Sequence, residues 1–236
     1  MTDDRSPAFH SLPAEKVAEL LSSDPARGLT AEEAAARLAA DGPNRLKEQA
    51  KTPPWRIFVS QFQDFMIYVL VVAVIISAIE GQVPEAIAIL AILLLNGVLG
   101  FVQEYRAEQS LEALKELSAP TATVVRDGVE TEVAAETLVS GDIVLLEAGD
   151  RIPADARLLE AAALRVVESA LTGESAPVRK DCVALADEHA ALGDRRNMVF
   201  AGTSVAVGRG RAVVTSTGQS TEMGRIAELL AETAEG

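Results

Sequence analysis

The chain has 236 residues, enough for one or two domains, and its formal net charge of −14 argues against nucleic acid as a partner. A single cysteine, Cys182, excludes an intrachain disulfide and reads as structural, and the two histidines, His10 and His189, lie too far apart for a zinc-ligand spacing. Hydrophobic residues make up 49% of the chain but aromatics only 4%, and the excess sits in two stretches instead of being spread as in a large soluble core. Residues 1 to about 10 read as a loose polar tail with Asp3 and Asp4; without a basic start and an apolar core it is no signal peptide. Ser11 is placed to cap a first helix, with Pro13 in its first turn, running to about Ser22. Thr30 begins a second helix, since Thr30 and Glu33 have the spacing of a reciprocal capping box, and Asp41-Gly42-Pro43 stops it. On pattern alone this is a generic helical hairpin without an assignable function.

Pro53-Pro54 break the chain, and Trp55 to Phe62 is amphipathic, suiting an interfacial segment with Trp55 at the headgroup level. Phe65 to Ile79 follows without a charge, shorter than the roughly 20 residues a spanning helix needs. Ala86 to Val102 is a second uncharged run, after the turn Glu80 to Glu85. Lys47, Lys51 and Arg56 precede the first run, Arg106 and Lys115 follow the second, and the turn holds two Glu and no Lys or Arg. That asymmetry predicts a transmembrane hairpin, about 63–80 and 85–103, with both outer ends cytoplasmic. For Phe65 to Ile79 a buried soluble helix is the alternative. Asn96, Gly97 and Gly100 fit close helix packing, with ion binding by Asn96 the lesser possibility. Leu111, Leu114 and Leu117 recur at helical spacing among charges, so the second helix is expected to run on as a stalk until Pro120.

From Thr121 the period changes to that of strands. Candidates are Thr123 to Arg126, Glu130 to Val133, Asp142 to Glu147, Arg157 to Ala161, Leu164 to Val167, Met198 to Ala201 and Gly210 to Ser216, with Asp127-Gly128 as a hairpin turn. Short strands separated by Gly, Asp and Pro predict a compact barrel or double-sheet domain. Gly141, Asp142, Gly149, Asp150, Pro153 and Asp155 read as turn residues, because they lack the Asp-x-Asp-x-Asp-Gly spacing of a calcium loop. Thr221 to Glu232 is a last helix with Met223, Ile226, Leu229 and Leu230 on its apolar face.

Within this region Leu164-Arg165-Val166-Val167 leads to Leu171-Thr172-Gly173-Glu174-Ser175-Ala176-Pro177. Gly173 permits a tight turn and Pro177 keeps the following segment from becoming helical. The result is a loop tip presenting the Glu174 carboxylate between the hydroxyls of Thr172 and Ser175, an arrangement able to orient a water molecule and take its proton. Taken alone the tetrapeptide is an ordinary turn composition.

The surrounding motifs carry more. Thr172-Gly173-Glu174-Ser175, together with Asn96 to Glu108, Leu114-Lys115, Leu138 to Val144, Gly149 to Asp155, Phe200 to Thr203 and Thr217 to Gly224, resembles the P-type ATPases over nearly the whole chain, closest to the calcium-pump branch of the type II cation pumps. The resemblance implies an α+β membrane protein: N-terminal helices in 1–52 packed on the actuator, an amphipathic segment, transmembrane hairpin and stalk in 53–118, and a cytoplasmic β-rich distorted jelly-roll actuator domain in 119–236. It further implies that Glu174 positions and activates the water that hydrolyses an aspartyl phosphate on another domain, that Thr172 and Gly173 shape the loop, and that Ser175 supports it. The ion-coordinating residues of such pumps lie in later helices.

No Asp-Lys-Thr-Gly-Thr phosphorylation motif, nucleotide domain or P-loop occurs in these 236 residues, so the chain alone is expected neither to bind ATP at the family's site nor to hydrolyse it. ATP and Mg²⁺ are implied for the complete pump and no cofactor for this chain. Its implied partners are the lipid bilayer, the remaining pump domains and the transported cation, in the plasma membrane. Calcium is the first ion the resemblance points to; manganese, magnesium, sodium and potassium stay open. Val167 departs from the acidic or polar residue common at that place, which puts the loop's supporting contacts in question. The competing readings are a non-catalytic membrane-anchored docking or regulatory module and a soluble all-β protein with a helical hairpin.

Overall fold

The computed structural model describes residues 8–46, 53–63, 65–117 and 120–235. Tail residues 1–7, the flanking charges Lys47 and Lys51, and the junctions near 52 and 118 lie outside them. The chain divides into a discontinuous unit, 1–47 with 120–236, and a helical unit, 48–119, inserted into it.

Phe9–Ser11 forms a 3-10 turn and His10 is buried, so residues 9 and 10 are ordered parts of this unit and not the loose tail expected there. The expected Ser11 cap does not form. Its hydroxyl donates to the Ala8 carbonyl at 2.8 Å, and α1 (Ala14–Leu20) starts behind Pro13, whose fixed φ suits a helix entry. α2 (Ala31–Asp41) has the full capping box: Thr30 Oγ1 accepts the Glu33 N–H and the Glu33 carboxylate accepts the Thr30 N–H. Gly42 at φ +82° ends it.

In the helical unit, α3 (Pro54–Ser60) is followed by α4 (Phe65–Ile79) and α5 (Val83–Leu117). α4 and α5 pack against each other through a turn at residues 80–82 with Gly81 at φ +76°. Both expose apolar side chains: Phe65 is 76%, Ile79 80% and Leu95 65% exposed, which water disfavours and lipid accepts. Val83–Ser110 is the one helix among the described residues long and apolar enough to cross a membrane; α4, at 15 residues, rises only about 22 Å against a hydrocarbon core of about 30 Å. Gly97 and Gly100 do mediate close packing, but against the end of α3. A Cβ on Gly97 would lie 2.6 Å from the Phe62 ring, and one on Gly100 2.4 Å from the Gln61 side chain. Asn96 is exposed. The helix runs on to Leu117 as expected of a stalk; the side chains of 111–117 are outside the described set.

Seven strands form one antiparallel sheet: β1 (Thr121–Arg126), β2 (Val129–Ala134), β3 (Ile143–Glu147), β4 (Asp155–Val167), β5 (Val178–Arg179), β6 (Met198–Val199) and β7 (Ser204–Ser216). Their order is β2-β1-β3-β7-β4-β5, with β6 on β4. Asp127 (φ +54°) and Gly128 (φ +78°) turn the β1–β2 hairpin, both in the left-handed region that a two-residue turn of this hand requires. The expected strands Arg157 to Ala161 and Leu164 to Val167 are one strand. Register shifts against β7 between Leu158 and Val166, and Ala163 at φ +52°, bend β4 without ending it. Ala156, Leu158, Leu164 and Val166 from both halves of β4 enter a single apolar core with Val144, Leu146, Val205 and Val214. The two-residue β5 was not expected.

The turn carboxylates act structurally. Asp142, fully buried, takes two bonds from Arg126 (2.8 and 2.6 Å) and the Val139 N–H; Asp150 accepts the Glu147 N–H. Asp155 accepts the N–H of Ala201 and that of Glu222, the first residue of the last helix. A buried arginine joins the N-terminal segment to the sheet. Arg157 on β4 donates to the carbonyls of Leu158 (2.7 Å), Asn197 (3.3 Å), Leu12 (3.1 Å) and Cys182 (3.0 Å), and Asn197 Nδ2 donates to those of His10 and Val183. Burial pulls the Arg157 guanidinium below its ordinary pKa.

Candidate functional site

The Glu174 loop joins two strands of the core. β4 and β5 pair through Arg165↔Arg179 and Val166↔Val178, so the loop leaves and re-enters the sheet at one place. Along β4 Leu164 and Val166 are buried while Arg165 is exposed, the alternation of a strand with one face inward, and Glu168, just past the strand end, is buried as well. After Val167 the backbone changes at once to α6 (Ser169–Thr172), a single turn hung from the Glu168 carbonyl. That oxygen accepts the N–H groups of Leu171 and Thr172, each at 2.9 Å, and the Thr172 hydroxyl at 3.1 Å. Gly173, at φ +77°, reverses the chain, and its N–H closes the turn on the Ser169 carbonyl. No atom lies within 4 Å of where a Gly173 Cβ would be, so glycine is required there by backbone conformation and not by crowding.

Glu174 follows, exposed, with its N–H donating to Thr172 Oγ1 at 3.3 Å. Ser175, Ala176 and Pro177 are exposed as well. The four residues singled out from the sequence therefore stand together at one tip, but in different roles. Thr172 turns its hydroxyl inward to the backbone, while the Glu174 side chain points to solvent. The turn is backed by the 3-10 segment Leu192–Asp194, where a Cβ on Gly193 would sit 3.4 Å from the Thr172 methyl.

Beneath the loop lie two charged residues that sequence reasoning did not select. Glu168 and Lys180 are both buried, with Lys180 Nζ 2.5 Å from Glu168 Oε1. Lys180 Nζ also lies 3.4 Å from the Arg195 carbonyl and 5.6 Å from the Phe200 ring centre. Burial raises the Glu168 carboxyl and lowers the Lys180 ammonium, and each partner's charge offsets part of the other's shift. Both residues stood in the sequence at the ends of the motif, but nothing local marks a Glu or Lys as buried. A concavity of about 730 Å³ elsewhere in this unit, lined by His10, Asp155, Arg195, Glu222 and Arg225 among others, does not include the loop. No group of three or more His, Cys, Asp or Glu among the described residues is placed to hold a metal ion.

Residues 116–231 match the family model of the P-type ATPase actuator domain, and residues 9–77 that of the cation transporter/ATPase N-terminus. Relatives include a calcium-transporting ATPase of Bacillus subtilis, 47% identical over 222 residues, covering 94% of this chain and 25% of the relative. A calcium-transporting ATPase of Listeria monocytogenes is 47% identical over 209 residues, 89% of this chain and 24% of the relative. A probable cation-transporting ATPase F of Mycobacterium tuberculosis is 45% identical over 223 residues, 94% and 24% respectively. The chain thus spans about a quarter of the length of the curated relatives it matches.

Proposed function

This chain belongs to the P-type ATPase family through its cation-ATPase N-terminus and actuator domain, and from that premise we propose that it serves as the actuator and first membrane hairpin of an ATP-driven cation pump, calcium being the first candidate ion. The observation that carries the reading is the placement of Glu174: an exposed carboxylate on a short loop whose two ends are fixed in the core by β4 and β5. In the proposed step Glu174 accepts a proton from a water that attacks the phosphorus of an aspartyl phosphate on a domain outside this chain. The acyl oxygen–phosphorus bond breaks, the aspartate leaves as carboxylate, and inorganic phosphate is released. Thr172 and Gly173 shape the tip and Ser175 supports it. ATP and Mg²⁺ are assigned to the domains outside this chain.

α4 and α5 form the membrane hairpin in this reading, with the ends carrying Arg56 and Arg106 cytoplasmic and the turn bearing Glu80 outside. The α5 stalk links the hairpin to the actuator and couples its rotation to gating of the ion path. The plasma membrane is the proposed location.

The test is a complete pump in which this chain replaces the matching 222 residues of the Bacillus subtilis relative. In it Glu174→Gln is expected to leave phosphorylation from ATP intact and to slow phosphoenzyme decay by about 100-fold or more. Decay at the unsubstituted rate would remove the catalytic reading and favour a docking module.

A further inference from the structure

The route from the protein interior to Glu174 is continuous. Lys180 Nζ meets the Glu168 carboxylate at 2.5 Å; the Glu168 carbonyl holds the Thr172 hydroxyl at 3.1 Å; that oxygen receives the Glu174 N–H at 3.3 Å. Glu168 is thus held at both ends, its side chain by the core and its backbone by the turn that carries the loop. Neither carboxylate oxygen has a geometrically sound hydrogen bond among the described residues, which leaves the ion pair with Lys180 as the contact that orients the side chain. Lys180 is itself aimed by the Arg195 carbonyl and the Phe200 ring. An apolar pair of similar volume at this place would hold the strands together as well or better, whereas an ion pair has a defined direction. The neck is already apolar on either side, through Leu164, Val166 and Val178, so packing alone does not call for the charges.

We propose that Glu168 and Lys180 are positioning residues for aspartyl-phosphate hydrolysis: their buried ion pair fixes the start of α6 and, through Thr172, the place at which the Glu174 carboxylate is presented. This rests on the reading of Glu174 as the water-activating base. Misplacing a reacting group by about 1 Å is enough for a loss on the order of 100-fold, so a loosened neck should act on the hydrolytic step and not on phosphorylation.

The experiment uses the same complete pump, phosphorylated from labelled ATP and chased. Glu168→Gln and Lys180→Met are each expected to slow phosphoenzyme decay by about 10- to 100-fold at an unchanged rate of phosphoenzyme formation. The double variant should be no slower than the worse single one, since the two act as one unit. In a Glu174→Gln background, Glu168→Gln should add nothing. Lys180→Arg, which keeps the charge but changes its reach, covers the case in which a single variant does not fold; it is expected to fold and to decay about 10-fold more slowly. Decay at the unsubstituted rate in folded Glu168→Gln, Lys180→Met or Lys180→Arg overturns the proposal while Glu174→Gln still stalls. Equal slowing of formation and decay overturns it too, because that is loss of folded protein. If Glu174→Gln itself decays normally, the underlying reading of Glu174 has failed instead.

Discussion

The N–H of Glu174 donates to Oγ1 of Thr172 at 3.3 Å, and the same hydroxyl donates onward to the Glu168 carbonyl at 3.1 Å. One oxygen thus ties the exposed carboxylate-bearing residue to the end of a core strand. Thr172→Ala removes both bonds and opens space toward Gly193. The expected result is a decay of phosphoenzyme slowed by about 10-fold, with only about 1 kcal/mol of stability lost, the ordinary worth of a partly exposed hydrogen bond. Thr172→Ser restores the oxygen and should recover most of the rate. Thr172→Val keeps the shape without the hydroxyl and should resemble alanine. Single-turnover decay beside a thermal melt of each variant checks the pair of effects.

Arg157 makes the opposite prediction, a large stability effect with no direct catalytic one. It is fully buried and holds four backbone carbonyls, including Leu12 on the N-terminal segment and Cys182 on the 181–185 stretch. Arg157→Met fits the core but strands those carbonyls, so a loss of about 3–5 kcal/mol is expected in denaturant unfolding. Far-UV circular dichroism is the signal to follow. Fluorescence of the single tryptophan would miss the event, because Trp55 belongs to the helical unit. Limited proteolysis should at the same time reach the chain around Leu12.

These two residues mark how far the sequence could be read. Local signals were reliable: the uncharged run Phe65 to Ile79 is α4 over those bounds, Thr30 and Glu33 form their capping box, and Asp127-Gly128 turns the first hairpin. Each is decided by residues within a few positions of one another. Ser11 failed as a cap because its hydroxyl found the Ala8 carbonyl, an equally local competitor. β4 looked like two strands because Ala161-Ala162-Ala163 breaks the alternation, yet a bulge passes that irregularity within one strand. β5 is too short to show a period at all. At the candidate site the tip was legible, and its support was not. Arg157, Glu168 and Lys180 carry charges that usually mark a solvent face, and apart from the Leu158 carbonyl beside Arg157 the partners that make their burial tolerable stand 12 to 145 positions away in sequence.

Asp155 predicts a pH dependence. It is buried and accepts two N–H groups, yet desolvation outweighs them and pushes its carboxyl from 3.8 up to about 6. The folded chain therefore binds this proton more tightly than the unfolded one. The group's contribution to stability is full below about pH 4, is lost as pH rises from about 4 to 6, and is constant above. A shift of that size corresponds to about 3 kcal/mol. Other groups overlap in part. Glu168, raised by burial, has the same sign; His10, lowered by burial and by Arg195, has the opposite one, losing stability as pH falls below its ordinary value. Asp24 and Glu33, both lowered chiefly by backbone N–H bonds, lose theirs only at lower pH, as they protonate. Asp155→Asn isolates the effect. Its unfolding free energy should lack the fall between pH 4 and 6 seen in the parent, while sitting lower at pH 4 because one N–H now faces an amide donor. Parallel slopes for the two proteins would show that Asp155 does not titrate there.

Two glycines allow steric exclusion to be separated from backbone conformation. Gly28 (φ +69°) and Gly42 (φ +82°) both occupy the left-handed side of backbone space, flanking α2. A Cβ on Gly42 would meet nothing within 4 Å, so Gly42→Ala should cost only the conformational term, about 1–3 kcal/mol at φ +82° and ψ 176°, a region essentially reserved for glycine. On Gly28 the same atom would fall 1.8 Å from the Val125 carbonyl oxygen and 2.7 Å from its carbon. Both obstructing atoms are backbone of β1, and in the turn that follows it Asp127 N–H and Gly128 N–H already bond the carbonyls of Leu29 and Arg27. Relief therefore requires the N-terminal segment to lift from the β1–β2 hairpin, which adds about 1–3 kcal/mol to the conformational term. Gly28→Ala should also speed hydrogen exchange at Asp127 and Gly128, whose bonds depend on the contact, while Gly42→Ala leaves both amides protected. Unchanged exchange at Asp127 and Gly128 in Gly28→Ala would mean that the segment between α1 and α2 yields freely and does not hold the N-terminal helices to the sheet.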